Sequence, residues 1–199
     1  MELINRLSRR IAKWLVTSGA ITCEEQELFY FAVSSFLFST IPLFLSLVLG
    51  SLFSIGIESI LMLLPFVFMR KFSGGFHLKS AKLCFILTIF LLSGCLLIVK
   101  YNSILFPSSY LDIAVLLSSL LIFFFSPIDS KERSLSIVES VRFKQISRFM
   151  VFAFASTYFM LSWGRISHYY TPIGIGITIV AFLQIPCIVL HLLDTTRAN

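Results

Sequence analysis

Apolar residues in this chain fall in long unbroken runs, separated by short basic segments. Six runs approach the ~20 residues that a helix needs to cross a ~30 Å hydrocarbon core. They are Phe29–Leu49, Leu52–Met69, Ala81–Val99, Tyr110–Phe125, Phe149–Trp163 and Ile173–Leu193. Runs of this kind read as helices, because lipid offers no partner for open backbone groups and the period-two pattern of barrel strands is missing. Gly50-Ser51 leaves so little chain between the first two runs that a tight helical hairpin is expected there. Ahead of them, Leu3, Ile4, Leu7, Ile11, Trp14 and Leu15 recur at helical spacing, with Arg6, Arg9, Arg10 and Lys13 largely between them. That is the pattern of an amphipathic helix lying on an anionic leaflet. The expected fold is all-α: a polytopic membrane protein with about six transmembrane helices and an N-terminal amphipathic helix. No polar linker divides the runs, so residues 1–199 read as one membrane-embedded domain, with an amphipathic start at 1–28 and a bundle over 29–193. Residues 1–28 lack the continuous apolar centre of a signal peptide.

Composition agrees with a lipid solvent. The chain is 57% hydrophobic and 13% charged, with mean hydropathy +0.93, where soluble domains carry roughly 25% charged residues. A net charge of +6 and a pI near 9.3 would suggest nucleic acid for a soluble protein. Here basic residues mark the cytoplasmic side instead, so the expected partner is the lipid bilayer and no nucleic acid. Of the 16 Lys and Arg residues, all but Lys100 and Arg165 lie before the first run, between the second and third or at the very start of the third (Lys82), between the fourth and fifth, or after the sixth. The positive-inside rule then puts both termini and the loops around 70–82 and 126–148 in the cytoplasm of a multi-pass cell-membrane protein. Cys23, Cys84, Cys95 and Cys187 form no CxxC and no metal-ligand spacing, so neither a disulfide framework, a metal nor a cofactor is expected.

The loop after the second run carries the candidate chemistry. It reads Arg70-Lys71-Phe72-Ser73-Gly74-Gly75-Phe76-His77, with Cys84 following. A His–Cys pair suffices for acyl transfer: imidazole takes the thiol proton, the thiolate attacks a carbonyl, and imidazolium protonates the leaving amine. On one continuous helix His77 and Cys84 would share a face but stand about 10.5 Å apart along the axis, too far for proton transfer over ~2.6–3.2 Å. The chemistry therefore requires the His77 segment to fold back, and Gly74-Gly75 supplies that freedom. A cap at Ser80 would leave Cys84 at the fourth helical position, where the helix N-terminus, Lys79 and Lys82 favour a thiolate. Asp129 is a candidate to orient His77.

The Arg70…Gly74-Gly75-Phe76-His77…Cys84 arrangement, in a six-run chain with an amphipathic start and a second basic loop, resembles the accessory gene regulator B family. That second loop opens Ser126-Pro127-Ile128-Asp129, similar to the family's Pro-hydrophobic-Asp motif, while Ser130-Lys131-Glu132-Arg133 departs from the residues that usually follow. The resemblance implies a membrane cysteine endopeptidase acting on a short amphipathic propeptide of a Gram-positive quorum-sensing system. His77 would be the general base and Cys84 the nucleophile. Cys84 would remove the C-terminal tail and hold the rest as a thioester, which an internal Cys or Ser attacks to close a thiolactone or lactone. Arg70 and Gly75 match the family pattern as supporting or substrate-binding residues, and a homodimer is a further expectation from the resemblance.

The remaining polar residues read more plainly. Glu58 lies in the outer half of the second run as a structural group, and Gln184 reads as an interhelical hydrogen-bond partner. Cys95 and Cys187 read as packing residues. The competing reading is a small peptide transporter or exporter using Glu58 and Gln184. Few intramembrane charges and no P-loop speak against it.

Overall fold

The computed structural model describes residues 2–74, 81–105, 108–127, 137–164 and 166–198. They form seven helices: α1 (Glu2–Thr17), α2 (Gln26–Leu52), α3 (Gly56–Ser73), α4 (Ala81–Leu105), α5 (Ser108–Phe125), α6 (Ile137–Trp163) and α7 (Ser167–Ala198). The all-α expectation holds. By length and composition α2, α4 and α7 can cross a membrane, and α5 is a shorter apolar helix.

Two expected boundaries are corrected. The hairpin turn is not at Gly50-Ser51: α2 continues through Leu52, and Phe53-Ser54-Ile55 make the turn. Gly50 instead lies inside the helix, where an added Cβ would overlap the Ser59 side chain. Its small size lets α2 and α3 approach, and Ser59 Oγ donates to the Ser46 carbonyl at 3.2 Å. The second basic loop is also shorter than expected. Arg142, Lys144 and Arg148 lie on α6, and Arg148 Nε donates to the Phe123 carbonyl at 3.3 Å while its guanidinium sits 4.7 Å from the Phe123 ring centre. Cations in the first turns of a helix gave no apolar signal, so the sequence read them as loop.

The core gathers around α7, which packs against α3, α5 and α6. Every residue from Tyr170 to Ile177 is buried, as expected of a helix without a polar face. A Cβ on Gly176 would overlap the Met62 carbonyl and the Pro65 ring, and one on Gly174 the Tyr158 ring. In lipid such close backbone approach, rather than hydrophobic exclusion, holds helices together. By contrast, α2 and α4 keep large apolar side chains outside: Phe31, Phe36, Phe44 and Phe90 are each about two-thirds exposed or more. A soluble monomer does not carry such a surface.

Side-chain contacts give the helix directions. Glu58 Oε1 lies 3.6 Å from His168 Nδ1 at the start of α3 and α7, and Gln184 Nε2 donates to the Ser73 carbonyl at 3.2 Å further along both, so these two helices run parallel. Asp112 meets Tyr158, and Phe123 meets Arg148, which makes α5 and α6 antiparallel. Lys100 lies 5.0 Å over the Phe53 ring, bringing the far ends of α2 and α4 together. Successive helices from α2 to α7 thus alternate in direction.

The N-terminal helix α1 lies against α2, with the Arg9 guanidinium 5.4 Å from the Tyr30 ring centre. Its contact face is not the apolar stripe alone. Ser8 and Ala12 are fully buried, flanked by partly buried Ile4, Ile11 and Leu15, while Leu7 and Trp14 point outward. Two small residues allow close helix contact, which a stripe of large side chains would not announce.

Candidate functional site

The site is built where α3 ends and α4 begins. Helix α3 stops at Ser73 because Gly74 adopts φ 73°, ψ −159°, a backbone region that only glycine occupies without strain. Arg70, in the last turn, donates from Nη1 to the Gly74 carbonyl at 3.1 Å. This bond ties down an acceptor just past a helix C-terminus, where a cation is also favoured by the helix dipole. Residues 70–84 are therefore not one continuous helix. Gly75, His77 and Ser80 lie outside the described residues, as does Asp129.

Helix α4 begins at Ala81, so Cys84 occupies its fourth position. The thiol is half-buried and unpaired with another sulfur. It lines a cleft between α3 and α4, with Phe66 and Arg70 on one wall and Leu87, Thr88 and Leu91 continuing down the other. Leu183 of α7 lies at the back. The cleft exists because α4 leans on α2 and only lightly on α7, leaving a gap beside α3. Thr88 Oγ1 donates back to the Cys84 carbonyl at 2.8 Å.

Arg70, past the apolar run of α3, is the cation of this cleft. Burial pulls the guanidinium below its ordinary pKa, and the Cys84 and Cys187 sulfurs, as thiolates, act in the opposite direction. Arginine starts so far above neutrality that it remains charged. A fixed positive charge and a helix N-terminus thus flank Cys84, an arrangement suited to a thiolate or to an oxyanion beside it. Sequence spacing alone did not show that Arg70 and Cys84, fourteen positions apart, would meet in one cleft. Cys187, read as packing, also lies within electrostatic reach of Arg70. Cys95 packs against the core as expected.

The family model described as accessory gene regulator B matches residues 8–186. The chain belongs to the accessory gene regulator B family. It is similar to an AgrB-like protein of Clostridium perfringens strain SM101, 23% identical over 190 residues that cover 88% of each chain. It is also similar to AgrB-like protein 2 of Clostridium perfringens strain 13, 25% identical over 138 residues, 66% of this chain and 64% of that one. No solved structure matches it. Membership and the apolar helices together make it a membrane protein, and membership supports a role in accessory gene regulator peptide processing linked to quorum sensing.

Sequence reading missed one polar cluster. Asp112 in α5 accepts from the Tyr158 hydroxyl at 2.8 Å and from Ser162 Oγ at 3.3 Å, and the Tyr158 ring stands edge-on to Tyr170 at 5.7 Å. A lone carboxylate inside an apolar run was the available signal. The cluster joins α5, α6 and α7 at the end opposite Cys84, beside neither Arg70 nor the cleft. Glu58 and Gln184 make the interhelical contacts expected of structural groups.

Proposed function

We propose that this protein is a membrane-embedded cysteine endopeptidase that processes a short quorum-sensing propeptide, with Cys84 as nucleophile and His77 as general base. The observation that carries the reading is the shared cleft of Cys84 and Arg70 directly after the break at Gly74. His77 takes the Cys84 proton, and the thiolate attacks the propeptide carbonyl. Arg70 and the N-terminal amides of α4 supply positive potential for the oxyanion. Collapse breaks the C–N bond, and imidazolium protonates the departing amine of the C-terminal tail. The remaining fragment is held as a thioester. An internal Cys or Ser of the peptide then attacks it, releasing Cys84 and closing a thiolactone or lactone. A thioester keeps the acyl reactivity that ring closure consumes, whereas hydrolysis would discard it. In this reading Gly74 and Gly75 give the chain the freedom to return His77 to Cys84, and Asp129 is assigned to orient the imidazole.

The decisive experiment places the full-length protein in phospholipid vesicles with a synthetic propeptide that has an amphipathic start and an acidic tail. Wild type releases the tail, whereas Cys84→Ala, Cys84→Ser and His77→Ala lose at least about a hundredfold in rate, since nucleophile and base act as one unit. Normal cleavage by Cys84→Ala would sink the reading.

A further inference from the structure

We propose that the cleft between α3 and α4 is the subsite for an aliphatic side chain on the residue whose carbonyl Cys84 attacks. This inference rests on the peptidase reading and names its substrate class. An attacked carbonyl carbon is bonded directly to the Cα of its own residue, so that residue's side chain is the group nearest the sulfur on the acyl side. The pocket nearest the sulfur is therefore the place that receives it. That pocket is the cleft, since Cys84 forms part of its wall.

Its lining sets the chemistry. Phe66, Leu87, Leu91 and Leu183 are apolar, and the Thr88 hydroxyl already spends its proton on the Cys84 carbonyl. Arg70 marks the polar end, where a carbonyl oxygen rather than a side chain belongs. The cavity measures about 40 Å³, against roughly 10–15 Å³ for one water. It admits the branched end of a leucine or valine, leaves an alanine methyl loosely held and excludes an indole. The acyl fragment is also the half that must stay bound until the ring closes, so its anchor has more to do than any contact to the departing tail.

The test uses 4-nitrophenyl esters of N-acetylalanine, N-acetylleucine and N-acetyltryptophan on the full-length protein in phospholipid vesicles. Thiolate attack forms the S–C bond and expels 4-nitrophenolate, leaving an acyl-cysteine whose position mass spectrometry locates. Exposed Cys23 serves as the internal reference for unselective acylation. Relative to Cys23, Cys84 is expected to take the leucine ester roughly tenfold faster than the alanine ester, or more, and the tryptophan ester slower than the leucine ester. Leu183→Ala, which enlarges the cleft, raises the tryptophan rate at Cys84. This gain does not arise from misfolding. Equal rates for the three esters at Cys84, or no gain in Leu183→Ala, overturn the subsite. So does failure of every ester to acylate Cys84. Propeptide cleavage in the same vesicles tells whether the peptidase reading falls with it.

Discussion

At Gly74 the backbone leaves the helical path of α3. Its φ of 73° and ψ of −159° make a Cβ costly, so Gly74→Ala is expected to lose about 1–3 kcal/mol of stability. Denaturant unfolding in detergent measures it, and an unchanged midpoint would show that the turn tolerates a side chain. Glu25 gives a residue-scale pH dependence. Its Oε2 accepts from both the amide and the hydroxyl of Thr22 at 2.9 Å, and these bonds lower the pKa of this exposed carboxyl. A carboxylate with a depressed folded pKa contributes stability that is present above its unfolded value and lost as pH falls through the folded one. The turn ahead of α2 should therefore loosen only in acid, below the ordinary glutamate range. NMR titration of Glu25 should show the depressed midpoint, and Thr22→Val should move it back toward the ordinary value. Much at this scale was legible in the sequence. Cys84 was expected at a helical fourth position because a cap at Ser80 would start the helix at Ala81, and Gln184 was expected to bond across helices because a lone amide in an apolar run has few other partners. The meeting of Arg70 with Cys84 was not legible, since no periodicity relates residues on two helices that splay apart.

Among the helices, α7 depends on two features that hydropathy does not weigh. Gly176 lets the Met62 carbonyl and the Pro65 ring come into contact, and the neighbouring atom on α3 is backbone, which cannot swing away. Gly176→Leu should push α7 from α3 and cost at least about 1–3 kcal/mol, read as a lower thermal midpoint in detergent. Retained stability would mean that α3 and α7 are not closely packed. The second feature is Asp112. Asp112→Ala removes the acceptor of a fully buried Tyr158 hydroxyl and should cost about 1–3 kcal/mol. Adding Tyr158→Phe to that variant should recover part of the loss, because the orphaned hydroxyl goes with it. Additive losses in the double variant would remove the hydrogen bond as the cause. The six runs made the helices legible, but polar residues within those runs carry partner information that a hydropathy average erases. The basic first turns of α6 were lost for the same reason.

For the whole molecule, the contacts divide the bundle into two ends of different charge. Arg70, Lys71 and Arg148 gather at the end that holds Cys84, where Phe72 of α3 meets Phe143 of α6 with ring centres 5.6 Å apart. Glu58, Asp112, His168 and Lys100 belong to the other end. The alternation of helix direction from α2 to α7 returns both α1 and the last turns of α7 to the basic end. The proposed function, taken with the positive-inside rule, predicts that this end, and with it the Cys84 cleft, faces the cytoplasm. Cys23 tests that orientation directly, because it is exposed and precedes α2 at the basic end. In a variant retaining Cys23 alone, an impermeant maleimide should label inside-out vesicles and spare intact protoplasts. A cysteine-free chain carrying His168→Cys, at an exposed site on the opposite end, should show the reverse. Labelling of both cysteines from one side would break the alternation and leave the cleft without a cytoplasmic address. Labelling of the two from opposite but exchanged sides would keep the fold and invert it, showing that the charge asymmetry does not set the orientation while the helix packing stands.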